Sequence, residues 1–221
     1  IRLSLVGSEM CIRDRYKRDF SEDLKFENFA KYHVVQLNDT HPIMAIAELI
    51  RVLVDENNIF FEDALKIASK VFAFTNHTVL QEALEKWPRD IVDEISPRCL
   101  EIIEEINDKL VKEFKEKGYS EQAIDPYRII RFDSVHMANL AIYVGFSVNG
   151  VAAIHTEILK NDTFAHWYKI SPNKFNNKTN GITPRRWLVY ANRDLSKFIS
   201  EKLGTDQWKY LSLIHISEPT R

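Results

Sequence analysis

The stretch His33-Val-Val-Gln-Leu37, then Asn38-Asp-Thr-His-Pro42, then Ile43-Met-Ala-Ile-Ala-Glu-Leu-Ile50 decides how this chain folds. The first segment is a short β-prone run, the second is a polar cluster closed by a proline, and after it Ile43, Ile46, Ile50 and Leu53 recur at steps of three and four. This order predicts a strand that stops in a loop and hands over to a helix with one buried face. Proline suits a helix's first turn, because the N–H it lacks would have no partner there.

The same order returns downstream. A helix is expected over residues 61–71, with Phe61, Leu65, Ala68 and Phe72 on one side. It feeds the apolar run Phe72-Ala-Phe74, the polar cluster Thr75-Asn-His-Thr78 and a helix-forming segment over residues 81–87. Ser96-Pro97 pairs an N-cap with an N1 proline, and Leu100, Ile103, Ile106, Leu110 and Phe114 then share a face until Gly118. The opposite face sets Glu105, Asp108 and Glu113 four residues before Lys109, Lys112 and Lys117, the spacing of a solvated, ion-paired surface. Residues 127–132 and 141–148 are further β-prone or apolar stretches, and 154–160 and 194–203 are expected to be helical. Alternation of this kind predicts an α/β architecture with a mainly parallel sheet.

Between Ser171 and Trp187 the sequence SPNKFNNKTNGITPRRW has no periodicity, which marks the expected domain boundary. Residues 16–180 are taken as the end of a first α/β domain and 181–210 as the start of a second. The outermost residues, 1–15 and 211–221, show no sustained periodicity and resemble read-through translations of sequencing-library adapters. They are set aside from the functional reading.

Of the 221 residues, 45% are hydrophobic and 28% charged, with only 6 glycines and 7 prolines, so a low-complexity or fibrous chain is excluded. A formal net charge of -2 gives no electrostatic reason to expect nucleic acid or an anionic membrane as partner. Two cysteines, Cys11 and Cys99, do not make a disulfide framework, so a reducing, cytoplasmic compartment is expected. No apolar run approaches the length of a membrane span.

Open α/β sheets bind ligands at the carboxyl ends of their strands, where both NDTH and TNHT stand. Amide and imidazole groups donate and accept hydrogen bonds and so suit hydroxyls. A phosphate site would call for glycines, lysines or arginines. Capping competes with this reading, since Asp39 or Thr40 could close the helix after Pro42, and Thr75 or Asn76 could close a turn.

Four separated blocks, VVQLNDTHPIMAIAELIRVLVDE, FAFTNHTVLQEALEKWP, VNGVAAIHTEILK and KFNNKTNGITPRRWL, resemble in order and spacing the signature segments of the glycogen, starch and maltodextrin phosphorylases. MANLAIYVGFSVNG is more similar to the bacterial members. The resemblance implies a fragment of a Rossmann-like two-domain glycosyltransferase architecture. It implies retaining phosphorolysis of terminal α-1,4-linked glucose by inorganic phosphate, in a homodimeric parent of an allosteric enzyme family. His77 matches the residue that touches the sugar, its side chain toward the 6-hydroxyl and its backbone carbonyl near the anomeric centre, the latter an electrostatic rather than acid–base role. Asn180 matches the asparagine that bonds the outer hydroxyls, and Val151 a residue lining the same pocket. Asp39, His41 and Glu85 match polar positions near the cleft, with capping and surface roles as the alternatives. Trp187 matches the tryptophan beside pyridoxal phosphate, or else it packs on an apolar wall. The lysine that carries the cofactor belongs to a downstream segment of the family, so the fragment is expected to be inactive alone.

Two other classes remain in view. A nucleotide-sugar glycosyltransferase of the same architecture would need a glycine-rich diphosphate loop, which the sequence lacks. A non-catalytic glucan-binding module could use residues 97–117, although their charged face argues for solvent.

Overall fold

The structure, a computed structural model, describes residues 26–181 and 185–210. The expectations for residues 1–15 and 211–221 therefore lie outside the described residues. By its internal contacts the chain divides into two compact units between Asn177 and Lys178.

The first unit runs α1 (Phe29–Tyr32), β1 (Val35–Asn38), α2 (Met44–Arg51), α3 (Phe61–Val71), β2 (Phe72–Thr75), β3 (Lys86–Pro88), α4 (Arg89–Ile95), α5 (Pro97–Glu116), α6 (Glu121–Ile124), β4 (Ile130–Arg131), β5 (Ser134–His136), α7 (Met137–Val144), β6 (Ser147–Gly150), α8 (Ala153–Ile158), α9 (Ala165–Ile170) and β7 (Phe175–Asn177). Strands β1, β2, β6 and β7 form a four-stranded sheet in the order β1-β2-β6-β7, and every pairing is parallel. The protein is therefore mixed α/β around a parallel sheet. Asn38 stands opposite Thr75, Thr75 opposite Asn149, and Gly150 opposite Asn177, so the four carboxyl ends share one edge.

The apolar spacing that predicts α2 lands in the core, with Ile43, Ile46 and Ile50 at 0% exposure. Its helix begins at Met44 rather than at Pro42, which lies in the preceding turn, and it continues as a π-helical turn over Val52–Glu56. Helix α5 buries Leu100, Ile103, Ile106, Leu110 and Phe114. Each of these side chains contributes roughly 1.5–3 kcal/mol by leaving water. Gly118, at φ +83, ends the helix, because a left-handed residue there lets Tyr119 N–H reach back to Phe114 C=O at 3.0 Å. The charged face is wired differently from its four-residue spacing. Lys109 pairs with Glu62 of α3 at 2.5 Å and with Glu113 at 3.8 Å.

Two further segments depart from the sequence reading. Residues 81–87 do not form an α-helix. They make a short 3-10 turn over Gln81–Ala83 and enter β3, where Trp87 stands opposite Val135 of β5 in a small antiparallel sheet of order β3-β5-β4. Cross-strand pairing overrides the helix-forming composition here. Residues 141–148 split between the end of α7 and β6. Helix α7 buries Met137, Ala138, Asn139, Leu140, Ala141, Ile142 and Val144, so it is apolar on nearly every side and shows no helical period. Lys174 closes its carboxyl end, donating from Nζ to the carbonyls of Ile142 and Tyr143 at 2.8 Å each. Burial pushes the Lys174 ammonium down to about 8.

The second unit contains a π-helical turn over Arg185–Tyr190, α10 (Arg193–Leu203) and a 3-10 turn over Gln207–Tyr210. Asn192 caps α10 by accepting from Leu195 N–H at 3.1 Å, and Gly204 ends it in the left-handed region.

Candidate functional site

The carboxyl edge of the parallel sheet carries a hydrogen-bonded row of polar side chains. Gln36 Nε2 donates to Thr75 Oγ1 at 2.7 Å, Thr75 Oγ1 donates to Asn149 Oδ1 at 2.8 Å, and Asn149 Nδ2 donates to Gly150 C=O at 3.0 Å. Thr156 Oγ1 meets Asn177 Oδ1 at 3.0 Å. Backbone bonds continue the strands past their ends, from Asp39 N–H to Thr75 C=O at 2.8 Å and from Asn76 N–H to Asn149 C=O at 2.9 Å. Buried polar groups bonded in this way fix the loops that leave the sheet.

His77 emerges from that row onto the surface. Its ring is exposed, and Nε2 lies 3.1 Å from Asn38 Oδ1 across the β1–β2 pair. A satisfied core histidine is thereby ruled out. Asp39 sits at φ +61, a strained conformation that aspartate tolerates better than most residues, and its Oδ1 is buried with no hydrogen-bond partner. Neither Asp39 nor Thr40 caps α2 through its side chain, so the capping alternative is absent here. Thr40 serves through its backbone carbonyl, which accepts from Ile43 N–H at 3.2 Å. His41 Nδ1 lies 3.0 Å from Glu85 Oε1 and joins the loop after β1 to the segment before β3. The imidazole is 72% exposed, so this pair is worth little as stability and more as orientation.

Val151, just beyond β6, donates its N–H to His155 Nδ1 at 3.1 Å. His155 was not among the sequence-predicted residues, although it lies inside one of the four blocks. Burial first, then the neighbouring His77 ring, push its imidazole below the ordinary range, against the opposing influence of Thr78 backbone and Asp39. The loops after β1, β2 and β6 thus meet around one ring. Its neutral form is favoured, with Nδ1 as the acceptor that holds Val151 in place.

Asn180 and Trp187 belong to the second unit. Asn180 is exposed in a loop, and Trp187 is 61% exposed in the Arg185–Tyr190 turn. Among the described residues no group of histidine, cysteine, aspartate and glutamate could hold a metal ion, and no helix is long and apolar enough to cross a membrane.

Open parallel α/β sheets bind ligands at the carboxyl ends of their strands, where this polar row stands. The family model of carbohydrate phosphorylases matches residues 7–217, and the chain belongs to that family. It is 49% identical over 183 residues to the maltodextrin phosphorylase of Streptococcus pneumoniae, covering 83% of this chain and 23% of that protein. It is 46% identical over 193 residues to the H isozyme of α-glucan phosphorylase from Triticum aestivum, covering 83% and 23%. It is 44% identical over 191 residues to the liver form of glycogen phosphorylase from Homo sapiens, covering 85% and 23%. The chain spans about a quarter of the length of these relatives and is a fragment of a phosphorylase.

Proposed function

We propose that this chain supplies sugar-contacting loops to a glucan phosphorylase that cleaves terminal α-1,4-linked glucose with inorganic phosphate, retaining configuration and releasing glucose 1-phosphate. The observation that carries the reading is the exposed His77, held by Asn38 beside the hydrogen-bonded row of polar side chains at the sheet edge. A preorganised loop there can aim its backbone carbonyl at positive charge developing on the sugar, at no reorganisation cost during reaction. Val151 lines the pocket, Asp39, His41 and Glu85 order its rim, and Asn180 is assigned to the sugar's outer hydroxyls by its place in the family's sequence block. The two units correspond to the end of one Rossmann-like domain and the start of the next, in a cytoplasmic, homodimeric parent.

Pyridoxal phosphate belongs to this reading as the parent's cofactor. Trp187 is the residue here assigned to it, but at 61% exposure its indole is not enclosed and does not by itself fit the cofactor's ring.

The test uses the complete parent enzyme with His77→Ala and Asn180→Ala. Each removes a side chain assigned to a sugar hydroxyl while the His77 carbonyl stays in place, so each should raise the barrier read from kcat/KM by about 1–3 kcal/mol, the cost of leaving such a hydrogen bond unmade. Unchanged kcat/KM in both variants refutes the assignment. The 221-residue chain alone should release no glucose 1-phosphate from maltoheptaose and phosphate.

A further inference from the structure

Away from the sheet edge, the first unit contains a cavity of about 170 Å³ whose walls come from the segment before β3, from β4 and β5, from the start of α7 and from the turn leading into α9. Exposed Gln81 and Lys86 stand among its lining residues. Four lining residues each present a buried polar atom without a hydrogen-bond partner: Glu85 Oε2, Arg131 Nε, Thr163 Oγ1 and His166 Nε2. Thr163 as a whole is 8% exposed. Buried polar atoms are rarely left unpaired, because each forfeits the hydrogen bonds it made to water, so four around one cavity point to an occupant.

The donor set narrows what that occupant is. Glu85 Oε2 only accepts, Arg131 Nε only donates, Thr163 Oγ1 does both, and His166 Nε2 takes one role set by its tautomer. The formal charges of the lining and of Asp125 sum to zero, since Lys86 and Glu85 are of opposite sign and the Arg131 guanidinium is paired with Asp125. Burial, then Arg131 and Lys169, push the His166 imidazole down to about 4, so it brings no charge at neutral pH. An ionic ligand would leave its own charge uncompensated. Adjacent hydroxyls, each donating and accepting, match all four groups. The walls are already locked. Tyr127 Oη donates to His166 C=O at 3.0 Å, and Asn139 donates to Pro126 and Arg128 carbonyls at 3.1 and 2.8 Å while accepting from Trp167 Nε1 at 2.8 Å. The volume corresponds to about six waters at their liquid share of about 30 Å³ each, and one polyol would replace several of them.

We propose that this cavity is a separate binding site for a small neutral polyhydroxylated molecule of monosaccharide size. It shares only Glu85 with the loop cluster, through the carboxylate oxygen that does not face His41. The site is independent of the phosphorolysis reading.

The experiment titrates the 221-residue chain with D-glucose, and separately with inorganic phosphate, while the His166 ring resonances are followed by NMR. Glucose should produce a saturable shift and phosphate none. Thr163→Val, nearly isosteric, should weaken the glucose Kd about tenfold, and His77→Ala should leave the His166 response intact. If circular dichroism shows Thr163→Val unfolded, Arg131→Lys, which keeps the charge opposite Asp125 but removes Nε, replaces it with the same expectation. The proposal is overturned if glucose gives no saturable shift, which would leave a water-filled cavity. It is equally overturned if phosphate saturates the site, if the folded cavity variants bind glucose like the parent sequence, or if His77→Ala abolishes the response.

Discussion

Replacing Asn139 by alanine should destabilise the first unit more than any surface change. Its side chain, 7% exposed, donates to the carbonyls of Pro126 and Arg128 and accepts from Trp167 Nε1. One amide thus joins α7 to the turn before β4 and to α9. Alanine leaves the buried indole N–H with no acceptor and removes a donor from each carbonyl. At roughly 1–3 kcal/mol for each buried group left unpaired, the bare sum is about 3–9 kcal/mol. The carbonyls can be rescued by water from the adjoining cavity, which lowers the expectation to about 3–4 kcal/mol. That is a large share of the roughly 5–15 kcal/mol typical of a folded domain. The assay is urea unfolding of the 221-residue chain followed by far-ultraviolet circular dichroism, with the slope against urea checked for constancy. Asn139→Asp separates the contributions, because it keeps the acceptor for Trp167 but turns a carboxylate toward two carbonyls, and it should cost at least as much. A loss below about 1 kcal/mol for alanine, or a gain for aspartate, refutes the reasoning.

Acid should weaken the fold through His166. The unfolded ring takes up its proton near 6.5 and the folded ring only near 4, so between these values the unfolded state holds more protons and stability falls as pH is lowered. The gap sets an upper bound of about 3 kcal/mol, which screening of the partly exposed ring reduces to about 1–2 kcal/mol. Urea midpoints across pH 4–7 should show this slope, and His166→Gln should flatten it. Gly150→Ala should also destabilise. A methyl there would sit 2.5 Å from Thr156 Oγ1 and 3.0 Å from His155 Nδ1, at the sheet edge where those groups hold Asn177 and Val151. A cost of about 1–3 kcal/mol and a lower melting temperature are expected, and an unchanged melting temperature contradicts the close packing.

Both polar clusters that stop β1 and β2 were legible as loops at strand ends, because a hydrophobic run ending in amides and imidazoles needs no tertiary information to be recognised. What gathers them was not. His155 lies 78 residues beyond His77 in sequence, and only the parallel pairing of β2 with β6 brings Val151 and the His155 imidazole beside the TNHT loop. Likewise Glu85 and His166 carry no local signal, and the cavity they share exists because the small antiparallel sheet and α9 close around the start of α7.

Periodicity by itself determined α2, α3 and α5, since an amphipathic helix writes its buried face into its spacing, and Leu100, Ile103, Ile106, Leu110 and Phe114 all reached the core. The four blocks determined the family for the same local reason, each being a loop with its flanking strand or helix. The tertiary structure alone decided the two elements that depend on their surroundings. Residues 81–87 have helix-forming side chains but lie where Lys86 and Trp87 can complete a sheet against His136 and Val135. Helix α7 is buried on nearly every face, so its sequence holds no polar side from which a period could be read. A half-exposed helix records its environment as alternating chemistry, whereas a fully enclosed helix and a short paired strand take their conformation from neighbours distant in sequence.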